Sequence, residues 1–104
     1  MPDRRQSERY EQRRAAAEDL AIAALGFIAA EPERLRRFLA LTGIAPDCIR
    51  EAAREPRFLV GVLDHVAGDE QLLLAFAAEH EVDPETVMRA RNALAGPQWE
   101  RDMP

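Results

Sequence analysis

The sequence predicts an all-α fold, a compact orthogonal bundle of about six short helices. Three observations carry this. Pro32, Pro46, Pro56 and Pro84 each precede apolar side chains at helical spacing. Proline has no N–H and a φ fixed near the helical value, so it suits the first helical position and almost no later one. No segment alternates apolar and polar residues as a half-buried strand does, and no Asn-Gly hairpin turn occurs. The joints left between the periodic segments are only a few residues long, as in compact helical domains.

Residues 1–14 are dense in charge and hold no apolar stripe. They form either a flexible charged arm or an extension of the first helix. That helix is predicted over residues 15–30, with Leu20, Ala24, Phe27 and Ile28 on one face and Ile22, Leu25 and Ala29 on the opposite one. Apolar character all round predicts a central helix. Gly26 within it costs about 1 kcal/mol relative to alanine, which suggests a close helix crossing there.

The second helix starts at Pro32 behind Glu31. Its stripe is Leu35, Phe38, Leu39 and Thr42, and Gly43 supplies the left-handed residue that ends helices. The third starts at Pro46, where Ile44 and Ile49 have the spacing of a hydrophobic staple. Val82 and Val87 stand in the same relation around Asp83-Pro84, a likeness too short to indicate a duplicated domain.

The fourth helix runs from Pro56 to Gly68 with Phe58, Leu59, Val62, Leu63 and Val66 as its stripe. Asp69 caps the fifth, whose stripe is Leu72, Leu73, Phe76 and Ala77. The sixth runs from Pro84 through Val87, Ala90 and Leu94 until Gly96-Pro97 stops it. A helical domain over 15–96 therefore stands between the arm, 1–14, and a tail, 97–104, which carries the sole tryptophan, Trp99. Phe58 and Phe76 are expected to be the most damaging side chains to truncate.

The 104 residues suit one domain, and 47% hydrophobic residues supply a core. The net charge of −5 argues against whole-surface attraction to nucleic acid or to an anionic membrane. All 14 basic residues are arginine. Recognition of phosphate or carboxylate by planar forks would explain that; so would coding bias in a GC-rich genome, with which the abundance of alanine agrees. The single cysteine, Cys48, excludes an intramolecular disulfide and points to a reducing cytoplasm. No signal peptide is expected, since residues 3–14 are dense in charge where an apolar h-region would lie. The longest uncharged run, Leu20–Ala30, is far short of the ~20 residues that span a bilayer.

Several stretches are distinctive: Glu31-Pro32-Glu33-Arg34-Leu35, Arg37-Phe38-Leu39-Ala40-Leu41-Thr42-Gly43, Pro56-Arg57-Phe58-Leu59, Val62-Leu63-Asp64, Asp69-Glu70 and Leu72-Leu73-Leu74-Ala75-Phe76. In that order they resemble a family of small, mostly alphaproteobacterial all-helical proteins known only as a domain of unknown function. The resemblance covers about residues 18–96 and implies a small helical cytoplasmic protein. It brings no catalytic residue, ligand or partner. The chain departs from the family pattern at Glu81, where glycine is usual, so the end of the fifth helix is left open.

Chemistry-bearing residues are few. Cys48 falls at the third position of a predicted helix, where a thiol can be activated. No motif surrounds it, and Ile49 beside it reads as core, so a buried structural thiol is expected. His80 follows Phe76 and Leu73 at helical spacing and is expected to be a partly buried packing residue, with a pH-sensitive or ligand role as the alternative. His65 and His80 are the only histidines, whereas structural zinc takes four nitrogen or sulfur ligands. No EF-hand loop and no glycine-rich phosphate loop occurs. No catalytic, cofactor-binding or metal-ligating residue is assigned, and no enzyme activity is expected.

Charge is distributed unevenly. Residues 34–57 carry six arginines and three acids, net +3, while residues 58–96 carry two arginines and seven acids, net −5. Arg36, Arg37, Arg50, Arg54 and Arg57 are the candidate partner-binding cations. Ordinary surface pairing is the alternative: Glu33–Arg37, Asp47–Arg50 and Glu51–Arg54 are suitably spaced, at ~0.2–0.5 kcal/mol each. Val60, Leu74 and Met88 lie off their helices' main stripes and form either a partner patch or a second core layer. Together these features predict a non-catalytic protein-interaction or regulatory module for an unknown cytoplasmic protein, as a monomer or weak dimer. The alternative is association with nucleic acid through the third helix and the Arg5, Arg9, Arg13 ridge of the arm.

Overall fold

The computed structural model describes the backbone of residues 4–102 and the side chains of residues 8, 9 and 11–95. Helix α1 spans Arg4–Ala29 and α2 spans Pro32–Thr42. A 3-10 turn, Pro46–Cys48, leads into α3, Ile49–Ala52. Then come α4, Pro56–Ala67, α5, Glu70–Glu79, and α6, Pro84–Asp102. The fold is the all-α bundle that the prolines and spacing predict, with no strand among the described residues.

The helix starts have a simple physical basis. The residues before α2, the 3-10 turn and α4 are Glu31, Ala45 and Glu55. All are extended and none offers a side-chain cap. A residue before proline is driven into that extended region, and the proline is already set for the helix. Among the described residues, only α5 uses a side-chain cap. Its Asp69 Oδ1 accepts the backbone N–H groups of Gln71 at 3.1 Å and Leu72 at 3.2 Å.

Two helix ends need left-handed backbone. Gly43 closes α2 with φ 73° and donates its N–H to the Leu39 carbonyl at 2.8 Å. Glu81 closes α5 with φ 53°. Its own N–H reaches the Ala78 carbonyl at 3.4 Å, and the Val82 N–H reaches that of Ala77 at 3.0 Å. This is the paired bonding of a Schellman ending, which favours glycine at the residue after the cap. The departure at Glu81 therefore places a glutamate where the backbone asks for glycine, and the helix ends there all the same.

Helix α1 begins at Arg4, so residues 4–14 take the second of their two readings, an extension of the first helix. Three expectations need correction. Helix α6 passes through Gly96-Pro97 to Asp102. Proline removes one bond to the carbonyl four residues back, and it also suits a new first turn, so the axis can continue past it. The third helix is shorter than predicted, a 3-10 turn and a single α turn. Gly26 marks no close crossing, since a Cβ there would meet open space. The side chain of Trp99 lies outside the described residues.

Helix α1 packs against α2, α4 and α6, and α4 packs against α1, α5 and α6. Alanines Ala17, Ala21 and Ala24 give α1 a thin buried edge, on which Val87, Ala90 and Leu94 of α6 are also buried. From α4 come Leu59, Val62, Leu63 and Val66. The opposite face of α1 is less buried than its composition suggests: Leu25 is covered, but Ile22 and Ala29 are exposed. Among the described residues no polar or charged side chain is buried. The core is held by apolar burial alone, at roughly 25 cal/mol per Å² removed from water.

Two aromatic contacts cross the core. Phe27 meets Phe76 at 5.5 Å, and Phe38 meets Phe58 edge-on at 5.9 Å. Phe38 and Phe76 are fully buried, whereas Phe58 is only partly so. The largest truncation penalty therefore falls on Phe38 and Phe76 rather than on Phe58.

Candidate functional site

The arginines divide into two groups by what they touch. Arg34 lies over the Phe27 ring, its Cζ 4.1 Å from the centroid, and pairs with Glu31 at 3.6 Å. Arg37 reaches Asp69 at 3.9 Å, Arg89 reaches Glu85 at 3.3 Å, and Arg91 of α6 pairs with Asp64 of α4. Arg36, Arg50, Arg54 and Arg57 are exposed and, among the described residues, have no carboxylate oxygen within 4 Å.

The spaced pairs Glu33–Arg37, Asp47–Arg50 and Glu51–Arg54 do not form. For the last two the reason is local. Asp47 and Arg50 straddle the change from 3-10 to α geometry at Ile49, and Glu51 and Arg54 straddle the end of α3 at Ala52, so neither pair lies within one regular helix.

Arg50, Arg54 and Arg57 follow one another around a single corner: α3, the turn after it, and the first turn of α4. That first turn carries no acidic residue. A cation near a helix N-terminus is disfavoured by the backbone dipole, so Arg57 contributes nothing to α4 and adds to the local positive potential. Asp47, Glu51 and Glu55 are exposed in the same stretch. The corner thus presents both signs of charge, mutually unpaired.

The candidate apolar residues separate. Val60 is partly buried and packs against the core. Leu74 and Met88 are exposed large hydrophobics. Two more large hydrophobics are exposed, Ile22 on the opposite face of α1 and Leu41 on α2. Leu41, at 68% exposure, lies off the Leu35, Phe38, Leu39 stripe of α2; the reasoning that picked out Leu74 also finds it.

The histidines and the cysteine do not assemble. His65 sets its ring edge-on to Phe38 at 5.1 Å. Burial, and secondarily the Arg37 guanidinium, lower its pKa from 6.5, while Asp69 partly opposes this. His80 is exposed as a residue, yet its ring covers Phe76 at 4.6 Å and Phe27 at 6.4 Å. Cys48 is exposed, contrary to the buried thiol expected. The 3-10 turn directs Ile49, not Cys48, toward the core. No hydrogen bond joins Cys48, His65 and His80, and no three of His, Cys, Asp and Glu converge among the described residues. Among them, too, no helix is long and apolar enough to cross a membrane.

A family model matches residues 14–97, and its description is protein of unknown function (DUF3572). No curated protein and no solved structure matches the chain.

Proposed function

The chain belongs to the DUF3572 family, which assigns it no activity, and we propose that it is a non-catalytic protein-interaction or regulatory module of the cytoplasm. One observation carries the proposal: the exposed guanidinium groups of Arg50, Arg54 and Arg57 go unpaired around one corner, in a chain of net charge −5. A guanidinium is a planar fork that binds carboxylate bidentately, roughly twice as strongly as a neutral donor does. The partner surface therefore carries carboxylates opposite these arginines. It carries cations as well, because Asp47, Glu51 and Glu55 share the corner. Mixed charge suits a protein, whose surface has both signs, better than a nucleic acid backbone, which has one.

Affinity capture with the full chain as bait tests this. A stoichiometric protein partner is expected, and the triple variant R50A/R54A/R57A should lose it. Recovery of only abundant contaminants with the wild-type bait would overturn the proposal.

A nucleic-acid role has one observation in its favour. Helix α1 extends to Arg4 and places Arg9 and Arg13 on exposed positions one turn apart. A gel-shift titration with a short duplex separates the two readings. Binding with a steep negative salt slope would support it, and no shift at low salt removes it.

A further inference from the structure

Between α1 and α6 lies an open groove of about 670 Å³. Helix α6 runs back along α1: His80, just before α6, sets its ring edge-on to Phe27 near the α1 C-terminus. The floor is small and apolar: Ala16, Ala17 and Leu20 on one wall, Ala90 and Ala93 on the other. Arg13 rises from the α1 wall and Arg89 from the α6 wall. With antiparallel helices, the two arginines stand diagonally across the groove. Arg13 has no carboxylate within 4 Å among the described residues, and Arg89 holds only the exposed Glu85. An exposed pair of that kind is worth ~0–1 kcal/mol and exchanges readily.

The same chain carries an exposed apolar surface flanked by charges of the opposite sign. Helix α5 turns Gln71, Leu74, Ala75 and Ala78 to solvent, at positions that share one helix face. Leu74 is 52% exposed, and the residues around it on that face are short or polar. This is a low apolar ridge with one knob. Glu70 and Glu79, both exposed, flank it on opposite edges at opposite ends, ~13 Å apart along the axis at 1.5 Å per residue. The alanine floor matches the apolar ridge in character, and the two arginines at the groove are opposite in sign to the two acids that flank the ridge.

We infer that the groove between α1 and α6 receives α5 of a second copy of this chain, with Leu74 seated on the alanine floor and Glu70 and Glu79 opposite Arg13 and Arg89. Two copies related by a two-fold axis engage both grooves at once, as in an isologous dimer. The contact is small, so the dimer is weak and concentration-dependent. The groove shares no residue with the Arg50–Arg57 corner, and the inference stands or falls independently of the function proposed above.

Sedimentation velocity of the full chain, under reducing conditions, tests it from about 1 μM to about 1 mM, the range in which small interfaces associate. The wild type is expected to shift from monomer to dimer mass, and Leu74→Glu to remain monomeric throughout. Two charge-reversed chains, R13E/R89E and E70R/E79R, should each stay monomeric alone and form dimers when mixed, since only the mixture pairs opposite charges at both grooves. All these positions are at the surface, so circular dichroism should show native helix in every variant. A wild type that remains monomeric at about 1 mM, a Leu74→Glu chain that associates as wild type does, or a mixture that fails to pair would each overturn the inference. A monomeric wild type that instead bound an added acidic amphipathic helical peptide would assign the groove to a different protein.

Discussion

The ring of Phe27 in α1 lies 5.5 Å from that of Phe76 in α5, tilted by 58°. Helix α5 packs mainly on α4 and α6, so this contact is its aromatic tie to the long first helix. Truncation at Phe76 removes a fully buried ring and loosens α5 from α1 together. Phe76→Ala should cost ~3–5 kcal/mol, a large share of the ~5–15 kcal/mol that holds a domain. Phe38→Ala should cost a similar amount, and Phe58→Ala less, because Phe58 is only partly buried. Urea denaturation curves rank the three, and Phe58→Ala emerging as the most destabilised would contradict the packing.

Asp69 holds α5 by two distinct means. One oxygen accepts two N–H groups of the first turn, and the other faces Arg37 at 3.9 Å. Capping is the larger of the two, since an exposed ion pair at 3.9 Å contributes little. Asp69→Ala should then cost about 1 kcal/mol. Asp69→Asn keeps the cap and loses the charge, and should cost much less. Equal losses in the two variants, measured by thermal unfolding, would mean that the ion pair is the larger contribution.

Glu81 occupies left-handed backbone, at φ 53°, where a β-carbon costs ~1–2 kcal/mol. Glycine removes that cost and adds some freedom to the unfolded chain. Glu81→Gly should be net stabilising, by about 1 kcal/mol, seen as a higher denaturation midpoint. Glu81→Val, with a branched side chain, should move the midpoint the other way.

His65 makes stability depend on pH. Its folded-state pKa lies below 6.5 because burial disfavours the imidazolium and Arg37 repels it. As pH falls through 6.5 the unfolded chain takes up the proton first, so stability is lost. The loss continues until the pH reaches the folded-state value, then levels off. Stability measured between pH 7.5 and pH 5, values bracketing the ordinary histidine range of about 6.5, should decline for wild type and decline less for His65→Gln. Arg37→Ala should shrink the effect without abolishing it, since burial is the larger cause.

The parts of the fold legible in sequence are those fixed by one residue's backbone chemistry. Pro32, Pro56 and Pro84 begin α2, α4 and α6, and Gly43 ends α2, because each side chain, or its lack, restricts φ locally. The sequence left open whether residues 4–14 extend α1, since exposed turns rich in arginine and glutamate bury nothing and leave no stripe. Gly96-Pro97 misled for the opposite reason: a local stop signal was outweighed by the continuing helix. Exposure of the arginines was legible from their type, but the missing pairs were not. For Asp47–Arg50 the absence goes with the change from 3-10 to α geometry at Ile49, the same turn on which Cys48 is exposed. The groove brings Arg13 and Leu20 of α1 beside Arg89 and Ala93 of α6, residues far apart in the chain, and only the folded arrangement of α1 against α6 creates it.

The outward-facing thiol of Cys48 has a practical consequence at the bench. It is the sole cysteine of the sequence, so a maleimide fluorophore would label one defined position, two residues from Arg50. Occupancy of that corner could then be followed as a change in emission or anisotropy, with no engineered tag. The same thiol is a hazard in air. Two molecules meeting there would become tethered covalently, and such an oxidative artefact would masquerade as native assembly in any preparation left unprotected.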